Sequence, residues 1–273
     1  EVAATVDNLS DGRLILGVGR GYQWSEFHRH DIPFEESRER FDEALDIILR
    51  AWTDEELSYQ GKFWQINGAQ VLPKPVQKPH PPIAVATLSQ DGFRNAARRG
   101  QSIICGGSTG TVAGITQSLA LYRESLAGAG YTYDPSSVII SRPVYIGQTR
   151  QEAKAVNDGE RLKWFLDAQR RVALPPDDRW DLVPEKERPV IERMRWRSEL
   201  TWDEAFDTMG ISGSPDECVE QLRELDGIVD GLDTLIGSFA LGGFDLHQTA
   251  KSMELFAREV MPKFSGAPVA AAR

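Results

Sequence analysis

A cluster of glycine and arginine residues contains the side chains of this sequence that are best suited to bind an anion. Gly17, Gly19 and Gly21 follow a short apolar run, and Arg20 lies between the last two glycines. Glycine lets the backbone approach a ligand closely, and a guanidinium presents a planar fork of donors that fits a phosphate. Arg38 follows at the start of a helical pattern, from which it can reach the same anion. The pattern therefore favours a phosphate-binding site.

Each of these residues also has a purely structural interpretation. The glycines are equally consistent with an ordinary turn, and Arg20 with a structural ion pair. Arg38 can instead pair with Glu35 or Asp42 on its own helix. The glycine triplet is not the G-x-G-x-x-G fingerprint of dinucleotide-binding folds.

Alternating strands and helices must position these side chains. Apolar runs bounded by turn residues predict buried strands at 14–18, 83–87, 102–105, 138–146 and 232–236. Helical spacing predicts helices at 35–52, 89–99, 112–126, 151–172, 214–225 and 247–263, and a β-hairpin is predicted at 57–66. Five βα units in succession imply an α/β fold with a parallel sheet and helices outside it.

Ligands of such folds bind at the carboxyl ends of the strands. Here those ends carry Gly19 to Gly21, Leu88 and Ser89, and Gly106 and Gly107. Ser89 follows the predicted strand 83–87 and is a good N-cap candidate for the next helix. It is either a phosphate ligand or an ordinary helix cap.

Composition limits the classes of partner. The chain has 273 residues and a formal net charge of −10, which disfavours nucleic acid and anionic membrane. Cys105 and Cys218 lie far apart without metal-ligand spacing, so we expect no metal site and a reducing, cytoplasmic compartment. Cys105 ends a predicted strand and either faces the site or is buried and inert. No apolar run is long enough to predict a transmembrane helix, and we predict no signal peptide.

The predicted α/β domain covers residues 1–265 and contains an excursion at about 175–212, rich in proline, tryptophan and charge. Trp180, Trp196 and Trp202 either line a substrate pocket or pack the excursion. The arginines at 188–197 are predicted to form a solvated helix face, and residues 266–273 a disordered tail.

A series of motifs in the right order carries a family resemblance over nearly the whole chain. They are Leu9-Ser-Asp-Gly-Arg-Leu-Ile-Leu-Gly-Val-Gly-Arg-Gly21, Glu26-Phe27, Phe34 through Arg38, Leu72-Pro-Lys-Pro-Val-Gln-Lys-Pro79, Pro82-Ile-Ala-Val-Ala86, Ala96-Ala-Arg-Arg-Gly100, Gly213-Ser-Pro-Asp-Glu-Cys-Val219 and Ser252 through Pro262. With these motifs the sequence resembles the bacterial luciferase-like flavin-dependent monooxygenases. The resemblance implies a (β/α)₈ TIM barrel, usually homodimeric, that binds reduced FMN or the deazaflavin F420.

The resemblance also implies roles for individual residues. Arg20 and Arg38 would contact the flavin phosphate, and Ser89 would hydrogen-bond it with help from amides at Gln90 to Gly92. Ala86 and Thr87 would lie near the flavin ring or its ribityl chain. A threonine that binds phosphate in some relatives falls at Gly92 here, so one contact is in doubt.

The resemblance raises a question about the barrel. In the family, three βα units precede the Leu-Ser-x-Gly-Arg motif, whereas here almost nothing does, so this chain would hold strands four to eight. We expect either a missing N-terminal piece or an open, partial barrel whose sheet exposes edges and apolar interior. The family's catalytic histidine falls in the absent part, so no catalytic residue is predicted.

Three functions follow as expectations. The first is a monooxygenase that takes reduced FMN from a partner flavin reductase and uses O₂ to oxygenate a small organic substrate. The second is an F420-dependent oxidoreductase on the same fold. The third is a non-catalytic flavin-binding or structural relative.

Overall fold

A computed structural model describes residues 1–107, 110–155, 160–175, 179–183, 185, 188–240 and 246–264. Its strands are β1 (Leu16–Val18), β2 (Leu57–Gln60), β3 (Gln65–Ala69), β4 (Ile83–Ala86), β5 (Ser102–Gly106), β6 (Val138–Ile146), β7 (Ile211–Gly213) and β8 (Thr234–Ser238). Its α-helices are α1 (Val2–Leu9), α2 (Trp24–Arg29), α3 (Ser37–Thr53), α4 (Gln90–Arg98), α5 (Val112–Gly128), α6 (Arg150–Ala155), α7 (Glu160–Ala173), α8 (Arg188–Glu199), α9 (Trp202–Thr208), α10 (Pro215–Val229) and α11 (Leu246–Leu255).

The main sheet is parallel and follows the order β1-β4-β5-β6, with β7 and β8 both paired to β6. The fold is therefore mixed α/β, with a parallel sheet that forms a half-barrel. The predicted hairpin is present as β2 and β3 beside this sheet.

The described sheet has six strands, whereas the sequence analysis predicted five. The missed strand is β7, which has only three residues and begins at the end of the predicted excursion. It forms because β6 changes partner: residues up to Pro143 pair with β8, and Val144 to Ile146 pair with β7. A strand of three residues contains no apolar run long enough to predict it from the sequence.

The main core lies between the sheet and the helices. Ile103 of β5 and Val138 and Ile140 of β6 pack with Leu119 and Tyr122 of α5, and all five are almost fully buried. The other face of the sheet is partly open. Ile15, directly before β1, is 49% exposed and Ile236 of β8 is 43% exposed, as expected for a sheet that does not close within the described residues.

Helix α1 is fastened to the proline-rich segment that leads into β4. Asp7 accepts hydrogen bonds from the backbone N of Gln77 at 3.0 Å and from its Nε2 at 2.7 Å. Asn8 Nδ2 donates to the Lys74 carbonyl at 2.7 Å. These hydrogen bonds hold α1, which precedes β1, against the segment that precedes β4. They thereby fix the position of the turn that follows β1.

The second half of the chain differs from the predicted pattern at two places. The predicted helix 151–172 is described as α6 and α7, and residues 156–159 lie outside the described part. The predicted excursion contains α8 and α9, and α8 packs on α7 through Val190 and Ala173. The predicted tail 266–273 lies outside the described residues. No helix in the described ranges is long and apolar enough to cross a membrane.

Candidate functional site

A cavity of about 420 Å³ opens at the carboxyl ends of β1, β4 and β5. Its volume falls within the range of about 300–1,000 Å³ that is usual for small-molecule sites. The residues that line it are Gly19, Arg20, Gly21, Tyr22, Arg38, Phe41, Val85, Ala86, Thr87, Leu88, Ser89, Ile104, Cys105, Gly106, Gly107, Ser141 and Val190. The parallel sheet thus creates a site where the strand order predicted one.

The cavity brings together nearly all of the predicted binding residues. Arg20, Arg38, Ala86, Thr87 and Ser89 all line it, although they come from four different elements or loops.

Gln90 is the exception among the predicted residues. It does not line the cavity, its side chain is exposed, and its Oε1 accepts a hydrogen bond from Arg94 Nη2 at 3.4 Å. The contact predicted for it is through its backbone amide, which follows Ser89 as the first residue of α4.

Arg20 is held in place by residues that lead into α3. Its Nη1 donates a hydrogen bond to Ser37 Oγ at 3.0 Å, and its guanidinium lies 5.6 Å from the centre of the Phe34 ring. Both Ser37 and Phe34 are buried. The guanidinium is therefore oriented by a hydroxyl and an aromatic face.

Arg38 enters the cavity from the first turn of α3. Asp42, one alternative partner predicted for it, forms an ion pair with Arg99 at 3.5 Å. Arg20 and Arg38 thus supply two positive charges at one cavity of a chain whose net charge is strongly negative. Such a pair attracts an anionic group by charge and by hydrogen bonding.

Ser89 is confirmed as the N-cap of α4. Its Oγ accepts a hydrogen bond from Gly92 N at 3.1 Å, and its own N donates to Thr87 Oγ1 at 3.3 Å. A hydroxyl that accepts one bond still has a proton to donate. The capping role and the predicted phosphate contact are therefore compatible, although only the first is observed.

Helix α8 forms a wall of the site, within the excursion whose tryptophans were predicted either to line a substrate pocket or to pack the excursion. Val190 lines the main cavity, and Arg193 Nη2 donates to the Leu88 carbonyl at 2.6 Å. Arg193 and Trp196 also line a second chamber of about 230 Å³, which shares Thr87, Leu88, Cys105 and Gly106 with the main cavity. The sequence analysis identified the excursion that contains α8, but it did not predict that Val190 and Arg193 contact the site.

The three tryptophans of the excursion have different surroundings. Trp196 lines the second chamber. Trp202 packs edge-to-face on Tyr145 and Phe206, and its Nε1 donates to the Lys154 carbonyl, so its role is packing. Trp180 begins a short 3₁₀ turn and is not among the residues that line either chamber.

The cavity offers binding groups and little proton chemistry. Burial raises the pKa of the Cys105 thiol to about 12, and nearby Arg142 opposes this only in part, so the thiol is neutral at physiological pH. The inert interpretation of Cys105 is therefore favoured. Among the described lining residues, the other titratable groups are two arginines and one tyrosine. The arrangement can bind an anion beside an apolar body, which fits a flavin: phosphate at the arginines and rings against Val85, Ala86 and Ile104.

Comparison with known proteins gives the same family for most of the chain. A family model described as luciferase-like monooxygenase matches residues 1–230. The chain is 28% identical to a 4-hydroxyprotoasukamycin monooxygenase of Streptomyces nodosus subsp. asukaensis, over 97% of this chain and 69% of that protein. It is 24% identical to an FMNH₂-dependent dimethylsulfone monooxygenase of Pseudomonas putida, over 95% of this chain and 68% of that protein.

A solved structure shows the same fold at lower sequence identity. The F420-dependent tetrahydromethanopterin reductase of Methanopyrus kandleri superposes with a TM-score of 0.67 and 17% identity, covering 96% of this chain and 78% of that one. The family model covers far more than half of the sequence and includes the glycine–arginine turn, α3 and the N-terminus of α4. The chain belongs to the luciferase-like monooxygenase family.

Proposed function

We propose that this protein is a flavin-dependent monooxygenase that takes reduced FMN from a separate flavin reductase and uses O₂ to oxygenate a small organic substrate. The FMNH₂ dependence of the Pseudomonas putida relative supports the cofactor and the reductase. The observation that carries the proposal is the position of Arg20, Arg38 and Ser89 in one cavity with apolar walls. A phosphate and a flat apolar ring system need both features in one place.

Some residues that line the cavity would bind the flavin phosphate, and others would exclude water from the flavin ring. Arg20 and Arg38 would neutralise the phosphate, and the Ser89 hydroxyl would donate a hydrogen bond to it. Val85, Ile104 and Val190 would cover the ring with apolar surface and keep water from the reacting atoms. The bound reduced flavin would supply the reaction with O₂.

The proposal extends to the finer points of the fold and assembly. We infer that the strands of the half-barrel correspond to the later strands of a (β/α)₈ barrel. A homodimer and a cytoplasmic location remain expectations from the family resemblance, and sedimentation of the purified protein tests the first.

Anaerobic titration with reduced FMN tests the binding site. Arg20→Ala should weaken binding by about 1.5–3 kcal/mol, the usual contribution of a charge-assisted contact. Arg94→Ala is the matched control, since the half-buried Arg94 of α4 pairs with Asp91 and does not line the cavity. An unchanged dissociation constant for Arg20→Ala would remove Arg20 from the site.

An F420-dependent oxidoreductase is the second candidate, since the Methanopyrus kandleri protein on this fold depends on F420. The same titration with F420 separates the two candidates. Saturable binding of F420 without binding of reduced FMN would exclude the monooxygenase.

A non-catalytic flavin-binding relative is the third candidate, supported by the residue types of the described lining, which include no histidine and no carboxylate. Oxygen uptake with reduced FMN and a panel of substrates tests it. Substrate-dependent uptake above the rate with reduced FMN alone would rule this candidate out.

A further inference from the structure

The second chamber is a space of its own beside the proposed flavin site. It has a volume of about 230 Å³ and shares Thr87, Leu88, Cys105 and Gly106 with the main cavity. Because these four residues lie at the ends of β4 and β5, a molecule in the chamber would lie directly beside a flavin bound as proposed. The volume is below the range of about 300–1,000 Å³ that suits drug-sized ligands. The chamber therefore suits a small organic molecule.

One part of the chamber wall is apolar. Phe93 of α4 and Ile115 of α5 line it, and both are almost fully buried in the core. Trp196 of α8 also lines it, although this side chain is 44% exposed. A ligand that covers part of the indole would remove apolar surface from water, which favours binding. The wall therefore provides contact surface for the apolar body of a ligand.

Arg193 is the one charged side chain among the described residues that line the chamber. It lies three positions before Trp196 on α8, and residues at this spacing are neighbours on one face of a helix. The sequence analysis predicted a solvated helix face for the arginines at 188–197. Arg197 departs from this prediction because it is 3% exposed. Arg193 is exposed as predicted, but it also forms part of the chamber wall.

The guanidinium of Arg193 is oriented by the backbone. Its Nη2 donates to the Leu88 carbonyl at 2.6 Å, which takes one of its five N–H donors. Within the described ranges Arg193 forms no ion pair with a carboxylate. Arg150, by contrast, pairs with both Asp207 and Glu217. The charge of Arg193 is thus held in place without being neutralised by a described acidic side chain.

The polar groups of the chamber indicate the kind of ligand. Thr111 Oγ1 accepts a hydrogen bond from Gly114 N at 3.1 Å, so its proton is available to donate. The described lining contains no acidic side chain. A cation and a hydroxyl donor suit a group that only accepts hydrogen bonds, such as a carboxylate. We propose that the second chamber binds a small organic carboxylate as the substrate, with Arg193 at the carboxylate and Trp196 on the apolar body. This substrate class rests on the proposed monooxygenase function.

Calorimetric titration of the flavin-free protein with benzoate and its neutral counterpart benzamide gives the first test. The wild type should bind benzoate roughly tenfold or more tightly than benzamide, because only benzoate gains a charge-assisted hydrogen bond. Arg193→Gln should lose this preference and keep its affinity for benzamide. Arg195→Gln should behave like the wild type, since Arg195 is exposed on α8 and lines neither chamber.

The outcomes of this titration separate recognition from support of the fold. If Arg193→Gln weakens benzoate and benzamide by the same factor, Arg193 only holds α8 in place and the proposal is wrong. Absence of benzoate binding, or equal affinity of the wild type for the two ligands, also contradicts it.

Two further substitutions locate the bound benzoate. Trp196→Ala should weaken benzoate and benzamide alike, whereas Trp164→Ala should not, because Trp164 is 70% exposed on α7 and lines neither chamber. Arg20→Ala should leave benzoate affinity unchanged, since Arg20 lines only the main cavity. Loss of benzoate binding in Arg20→Ala, or wild-type affinity in Trp196→Ala, would place the carboxylate elsewhere and overturn the proposal.

These measurements need no flavin, so they are separate from the test of the proposed function. A protein that binds benzoate through Arg193 but no reduced FMN would retain the carboxylate site and lose the monooxygenase proposal. A protein that binds reduced FMN but no benzoate would retain the monooxygenase proposal and lose the carboxylate site.

Discussion

The hydroxyl of Ser37 accepts a hydrogen bond from Nη1 of Arg20 at 3.0 Å, across seventeen residues of sequence. Ser37 is 3% exposed and opens α3, so its position is fixed by the helix and by burial. Arg38, the next residue, lines the cavity. One helix start therefore both carries one arginine of the site and orients the other.

Ser37→Ala should weaken binding of reduced FMN, because Arg20 loses an acceptor that helps to orient its guanidinium. We expect a loss of about 0.5–1.5 kcal/mol, smaller than for Arg20→Ala. Anaerobic fluorescence titration measures it. Combining the two substitutions should cost no more than Arg20→Ala alone, since Ser37 acts through Arg20. A fully additive double variant would contradict this.

Ser89→Ala should reduce both stability and cofactor affinity. Loss of an N-cap costs about 1 kcal/mol of stability, and loss of the hydroxyl removes the proposed donor to phosphate. Ser214→Ala is a matched control: Ser214 caps α10 by accepting a hydrogen bond from Glu217 N in a capping box, and it does not line the cavity. It should cost similar stability in urea denaturation and leave FMN binding unchanged. If Ser89→Ala and Ser214→Ala bind FMN with equal affinity, Ser89 acts only as a helix cap and does not contact the phosphate.

Gly92→Ala should disturb the site, because a β-carbon at this third position of α4 would overlap the Thr87 hydroxyl. Thr87 Oγ1 accepts the bond from Ser89 N, so its displacement also moves the cap. We expect a loss of about 1–3 kcal/mol of stability, typical of overpacking, and weaker binding of FMN. Adding Thr87→Ala should restore part of the stability, which a double-mutant cycle in urea measures.

The equivalent position of α5 supplies the control. Gly114 is also three residues after a capping side chain, Thr111, but a β-carbon there would meet only Thr111 Oγ1 at 3.3 Å. Gly114→Ala should therefore be neutral or slightly stabilising. Similar losses at both glycines would mean that helix backbone, and not Thr87, sets the cost.

Asp7 should make stability depend on acid pH. Burial alone would raise the pKa of its carboxyl. The hydrogen bonds from Gln77 lower the pKa by more than burial raises it, so the net shift is downward. A carboxyl with a lowered pKa adds stability above its unfolded pKa and loses it as pH falls through the folded value. The stability difference between wild type and Asp7→Asn should therefore be constant near neutral pH and shrink below about pH 4. Urea denaturation across this range measures it; a difference independent of pH would contradict the assignment.

Much of the site could be predicted because it depends on short-range patterns. Apolar runs located β4, β5 and β6, and parallel strands bring their carboxyl ends to one edge, so Arg20, Thr87 and Ser89 meet in one cavity. The residue types and spacing of Ser214 and Glu217 alone indicate the start of α10. These features need no knowledge of distant contacts.

The rest depends on contacts between distant residues. Strand β7 exists because β6 continues past Pro143 and offers a free edge, which three residues of sequence cannot reveal. The charged pattern of α8 resembles a solvated helix, so the burial of Arg197 against Phe165 of α7 has no local signal. The prediction for Gln90 concerned only its backbone amide, and its exposed side chain bonds to Arg94.

The hydrogen bond between Arg193 and the Leu88 carbonyl spans 105 residues of chain. During synthesis, Leu88 leaves the ribosome first, and at about 5–20 residues per second Arg193 follows roughly 5–20 s later. For that interval the strand ends that hold Arg20 and Ser89 exist without the α8 wall. A flavin bound as proposed would therefore lack its α8 wall until residues 188–199 have been synthesised.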